Sequence, residues 1–153
     1  MYSIDIYMAL SYLLIITLIA YSLIRGGELI TQTEYVLSVS NIYGAMHQVF
    51  DIRYFGFSLI MPSTVMFVSL FFINRAKYIL LFIGSTALIG THLYYASFGA
   101  EKSILDSTVT YSILYASIHL ILSIVCISAI MQLNPNKIIL HEQDEDEDNG
   151  TKK

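Results

Sequence analysis

Two histidines, His92 and His119, stand inside long apolar stretches of this chain. A neutral imidazole there can ligate haem iron, contact a quinone or carry a proton. Placed on neighbouring helices, the two could clamp one haem b axially. At ~1.5 Å per helical residue, His92 lies about 9 Å below one end of its stretch, and His119 about 15 Å below the same surface. That mismatch of roughly 6 Å is tolerable for a shared ligand but does not favour one. The plainer reading gives each histidine a hydrogen bond to a neighbouring helix. His119 shares one heptad-spaced face with Ser112, Ala116, Ser123 and Cys126, and a stripe of small and polar residues is where membrane helices approach closely. The expectation is structural packing, with haem b or quinone contact through His92 and His119 as the alternative.

Other chemistry has less to stand on. Cys126 is the single cysteine and sits between Val125 and Ile127, so it reads as inert packing. No Cys-x-x-Cys exists, which removes disulfide-shuttling membrane enzymes. Every aspartate falls outside the long apolar stretches, so no Ser-His-Asp set is credible. The Arg, Asn and Glu that glutathione-handling membrane enzymes place in one helix have no counterpart here. No metal site is expected. The acidic run Glu142–Asp148 lacks the spacing and turn glycine of a calcium loop. Asn149-Gly150-Thr151 fits a glycosylation sequon, but a match of that length carries little weight. The chain is expected not to be an enzyme.

The elements that must hold these residues are set by composition. Of 153 residues, 56% are hydrophobic and 13% charged, against about 25% charged in soluble domains. This is the composition of an integral membrane protein. Six basic and six acidic residues balance between Met1 and Leu140, and residues 141–153 carry the whole net charge of −4. That excludes the basic footprint nucleic acid requires, and the tail reads as a solvated, disordered segment. A ~30 Å hydrocarbon core needs about 20 apolar residues to cross. Four spans qualify: residues 6–24, ending at Arg25-Gly26-Gly27; 55–73, bracketed by Arg53 and Arg75; 78–98; and 109–131, before Pro135. None contains Asp, Glu, Lys or Arg, which argues against carboxylate-driven pumps and arginine voltage sensors. The first span lacks a basic leader and a small-x-small cleavage site, and is read as a retained helix.

Between the first two spans, Tyr35, Val39, Ile42, Tyr43, Met46 and Phe50 recur at helical spacing behind a Thr31-Gln32-Thr33-Glu34 capping box. The expected element is one amphipathic helix over residues 33–50, lying in the membrane interface, with a short fifth span as the rival. The 74–77 turn, with Arg75 and Lys77, tips the Lys/Arg balance toward both termini in the cytoplasm. The fold class is thus an all-α, integral membrane four-helix bundle in the cell membrane, one domain over residues 1–140. Span four is expected at its packing centre. Span two contributes Ser58, Pro62, Val65 and Ser69, with a kink at Pro62, and span three Gly84, Ala87 and Thr91. Tyrosines such as Tyr7, Tyr54, Tyr78 and Tyr111 read as interface anchors.

Ile19-Ala20-Tyr21 leads to Gly26-Gly27, Arg53-Tyr54 is followed nine residues on from Arg53 by Pro62, and Ile89-Gly90-Thr91 follows further along. This stretch resembles helices B–E of the microbial rhodopsins. The resemblance implies a related arrangement of helices and no retinal chemistry. Gly56 stands where the family has its proton-accepting carboxylate and Phe57 where it has tryptophan, helices F and G have no counterpart, and all five lysines lie outside the spans.

The leading expectation is a non-enzymatic membrane protein, without cofactor, that acts by helix contacts with another membrane protein or with itself. Accessory, immunity and exclusion proteins share this character. The alternatives are a haem-b or quinone-linked electron carrier using His92 and His119, and a small oligomeric pore.

Overall fold

The computed structural model describes residues 6–100 and 107–133, and within them everything regular is helix. The helices are α1 (Ile6–Thr31), α2 (Thr33–Val39), α3 (Asn41–Val49), α4 (Ile52–Ser69), α5 (Arg75–Ala100) and α6 (Ser107–Gln132). Four of them, α1, α4, α5 and α6, are long and apolar enough to cross a membrane. They run up, down, up and down, so Arg25 and Lys77 mark opposite ends. The acidic run and the 149–151 sequon lie outside the described residues.

The span boundaries move for local reasons. The first helix does not stop at Arg25-Gly26-Gly27 but continues to Thr31. At ~1.5 Å per residue its 26 residues reach about 39 Å, so the arginine falls near the edge of a ~30 Å core without ending the helix. The candidate crossing helices are not free of charge: Ala9–Thr31 takes in Arg25 and Glu28, Ile52–Ser69 takes in Arg53, and Arg75–Phe98 takes in Arg75 and Lys77, all toward helix ends. Gly26 serves packing instead. A Cβ there would fall 2.8 Å from the Gly56 carbonyl oxygen of α4, and one on Gly56 would fall 2.8 Å from that of Gly26. Two absent side chains let α1 and α4 cross backbone to backbone.

The second span starts and ends earlier than residues 55–73. Asp51 caps α4 by accepting from Arg53 N at 2.9 Å. After Ser69 the chain unwinds, with Leu70, Phe71 and Phe72 amides donating only three residues back. Asn74 Oδ1 then accepts from Ala76 N at 3.1 Å and starts α5 at Arg75. Pro62 has no amide to give the Ser58 carbonyl one turn earlier. Thr91 of α5 meets that carbonyl, its hydroxyl 3.3 Å away and shared with Ala87 O. In lipid, a freed backbone acceptor needs such a partner.

The segment 33–50 is two short helices, not one. Ser40 is extended and ends α2, then caps α3 by accepting from Tyr43 N at 3.4 Å. A serine that can bond its own backbone competes with helix continuation, which explains the break. The capping box does not form. Thr31 still belongs to α1 and its hydroxyl donates back to Gly27 O at 2.8 Å. The five-span alternative also falls, because seven and nine residues of helix span only about 10 and 14 Å. Both sit at the Arg25 end, where α3 buries Ile42, Tyr43 and Met46.

Packing follows the chain: α1 on α4, α4 on α5, and α5 on α6 most extensively. Span four is therefore not the packing centre. It is the most apolar crossing helix, yet only 22% of it is buried, against 39% in α4 and in α5. Those two are central because each has a neighbour on both sides.

Candidate functional site

All five residues of the α6 stripe, Ser112, Ala116, His119, Ser123 and Cys126, are buried. Ala116, His119 and Ser123 face α5. Ser85 of α5 donates its hydroxyl to the His119 carbonyl at 2.7 Å, and its oxygen also lies 3.3 Å from His119 Nδ1. With the hydroxyl proton given to the carbonyl, the geometry makes Nδ1–H the donor to Ser85 Oγ. One serine thus answers two groups of the neighbouring helix. Thr86 and Ser123 hydroxyls add a contact at 3.4 Å along the same seam.

His92, one helix over, meets His119 ring to ring. Their centroids are 5.8 Å apart and their planes 15° from parallel. Tyr115 continues the series, 5.5 Å from His92 at 20°, and Tyr21 of α1 lies 4.2 Å from Tyr115 at 12°. Four near-parallel rings therefore form a ladder from α1 to the middle of the α5–α6 seam.

A haem does not fit this pair. Its macrocycle would have to pass through the most extensive helix contact in the bundle, where Ser85 already engages His119 Nδ1 and Tyr115 lies along His92. What remains unanswered is Nε2 of both histidines, which is buried and without a hydrogen-bond partner.

Above the ladder, toward the Arg25 end, is a cavity of about 400 Å³ between α1 and α6. Arg25 donates through Nη1 to Glu28 at 2.6 Å, and through Nε and Nη2 to the Tyr43 hydroxyl at 3.2 and 3.0 Å. The guanidinium is thereby neutralised and pinned at the mouth. Tyr43 is buried and its ring lies 5.0 Å from that of Tyr95, which in turn lies 5.3 Å from Phe55. The Tyr95 hydroxyl faces this cavity without reaching hydrogen-bond geometry with any group. Ser22 Oγ, on the same helix as Arg25, is likewise buried and unanswered. An unanswered buried polar group costs roughly 1–3 kcal/mol. Among the described residues four such atoms are left, on Ser22 of α1, His92 and Tyr95 of α5 and His119 of α6, and the Tyr95 hydroxyl lies beside that of Tyr43.

The sequence reading named His92 and His119 but passed over Tyr21, Arg25, Glu28, Tyr43, Tyr95 and Tyr115. A signal was present for part of this set. Tyr21, Arg25 and Glu28 repeat at steps of four and three, the spacing already recognised on span four. His47 has a local task at the start of α4, its Nδ1 accepting from Ile52 N at 3.4 Å.

No protein-family model, no curated protein and no solved structure matches this chain.

Proposed function

We propose that this chain is a non-catalytic, multi-pass membrane protein that binds a small ring compound of quinone type in the Arg25–Tyr95 cavity. The observation that carries this reading is the cavity lined by the Tyr95 hydroxyl, Arg25 and the ring of Tyr21, with the unanswered Nε2 of His92 one turn below Tyr95 on α5. A planar ring with carbonyl acceptors would lie against Tyr21 and take hydrogen bonds from the Tyr95 hydroxyl and the Arg25 group. With Arg25 paired to Glu28, the site carries no net charge and suits a neutral ligand. Ile24 and Tyr111 line it and are exposed toward the bilayer, which offers a lateral way in. Mostly apolar cavities with a few convergent polar groups are the usual form of small-molecule sites.

Equilibrium binding of a short-chain benzoquinone to the detergent-solubilised protein tests this. Arg25→Gln and Tyr95→Phe are each expected to weaken binding about tenfold, the loss of one hydrogen bond to a charged or buried partner. Tyr12→Phe, at the opposite end, should change nothing. Equal affinity in all three variants would remove the reading.

The exposed surface of α6 favours a second reading, contact with another membrane protein or a second copy. Leu114, Ile121 and Ile124 all lie open on a helix that packs chiefly against α5. A photocrosslinking residue at 124 should then give one discrete protein adduct, and lipid adducts alone would count against it. An oligomeric pore is less favoured, because the polar stripe of α6 is turned inward. The Arg75 and Lys77 pair supports cytoplasmic termini. A reporter fused after Lys77 should register cytoplasm, and one near Thr33 the opposite side.

A further inference from the structure

Below the Tyr21–Tyr115 contact, α1 and α6 enclose a larger groove of about 690 Å³. Its walls are apolar, with Leu14 and Ile15 from α1, Leu81 from α5, and Leu122 and Val125 from α6. That volume lies within the ~300–1,000 Å³ typical of small-molecule sites. The mouth differs in character. The Lys77 ammonium hydrogen-bonds the Tyr12 hydroxyl, stands 4.2 Å from the Tyr12 ring centroid and lies 5.9 Å from that of Tyr78. Two of its three N–H bonds remain for another acceptor.

Charge at this end is one-sided. Arg75 and Lys77 are its charged side chains among the described residues, whereas the ion pair of the described structure, Arg25–Glu28, is at the other end. A fixed cation over an apolar groove that opens to the bilayer complements an anion carrying an apolar chain. Basic side chains at the membrane surface attract anionic lipid in the same way.

We propose that the α1–α6 groove binds an anionic phospholipid, with the phosphate at Lys77 and one acyl chain between Ile15 and Val125. This site is independent of the ring-ligand reading. The groove and the upper cavity share no lining residue and lie on opposite sides of the Tyr21–Tyr115 contact.

The test is native mass spectrometry of the full chain in micelles containing equal amounts of phosphatidylglycerol and phosphatidylcholine. The unmodified protein should retain the anionic lipid about fivefold more, the preference expected of one basic side chain at the surface. Lys77→Gln should bring the two lipids to parity. Val125→Trp, which fills the groove from an exposed position, should remove both adducts while helix content by circular dichroism stays unchanged. Equal retention by the unmodified protein, an undiminished preference in Lys77→Gln, or adducts that persist in a folded Val125→Trp would each overturn the proposal. So would a zero-length crosslink joining Lys77 to a carboxylate of the same chain, because the occupant would then be the chain's own acidic residues. None of these outcomes bears on Arg25 or Tyr95.

Discussion

The face of α6 turned to α5 carries Ala116, His119 and Ser123, with Ser112 and Cys126 at the rims of the two cavities beyond, and there a serine hydroxyl reaches a main-chain carbonyl across the seam. The adjoining face, turned to α1, carries Tyr111, Ile118, Leu122 and Val125, and two cavities of about 400 and 690 Å³ remain between the helices. Tyr115 and Tyr21 bridge that gap ring to ring. Lipid tails are as apolar as leucine, so no expulsion from water draws these helices together. Side-chain size decides how near they come. Small residues give a closed seam, in which a serine hydroxyl answers a main-chain carbonyl of the facing helix. Large ones give a seam held open, and the open seam is where ligands can enter.

The largest effects should come where a closed contact is backbone against backbone. Gly26→Leu and Gly56→Leu each place atoms within van der Waals reach of a carbonyl that cannot turn aside. Each is expected to cost more than the ~1–3 kcal/mol of ordinary overpacking and to leave little folded protein. Gly27→Leu is the control, since nothing lies within 4 Å of a Cβ there, and it should be tolerated. Thermal unfolding in detergent, followed by circular dichroism, reads both. Equal loss in all three would show that glycine's role here is not close approach.

Next in size are Ala116→Leu and Ser123→Leu in the α5–α6 seam, each expected to cost about 1–3 kcal/mol. An unchanged melting temperature in both would mean the seam is not closed as described. Below them stands the cross-helix bond. Ser85→Ala removes the partner of both His119 O and Nδ1 and should cost about 1 kcal/mol. His119→Gln keeps a donor and an acceptor and should be milder, within the ~0.6–2 kcal/mol of a membrane hydrogen bond. Neither should alter visible absorbance. A Soret band present in the unmodified protein and lost in both His92→Gln and His119→Gln would instead restore haem ligation.

The smallest change belongs to the open seam. Val125→Ala trims an exposed groove wall and should move stability by no more than about 0.5 kcal/mol. A loss as large as that of Ser123→Leu would erase the distinction between the two faces of α6.

The four crossings were legible in the sequence because the length of an apolar run is a local property. So was the α6 stripe, since a period of four and three projects small residues onto one face whatever lies opposite. His92 and His119 could be named for the same reason, and the structure brings their rings to 5.8 Å. The partners could not be named. Arg25 finds Tyr43 eighteen residues away, His119 finds Ser85 thirty-four away, and Thr91 answers the carbonyl freed by Pro62 from another helix. In water, an amphipathic pattern tells which side of a helix faces inward. In a bilayer both sides are apolar, so periodicity alone could not show that α6 lies at the edge of the row. Only the fit of large and small side chains from several helices at once decided which seams close, which stay open, and where the polar groups are left to meet a ligand.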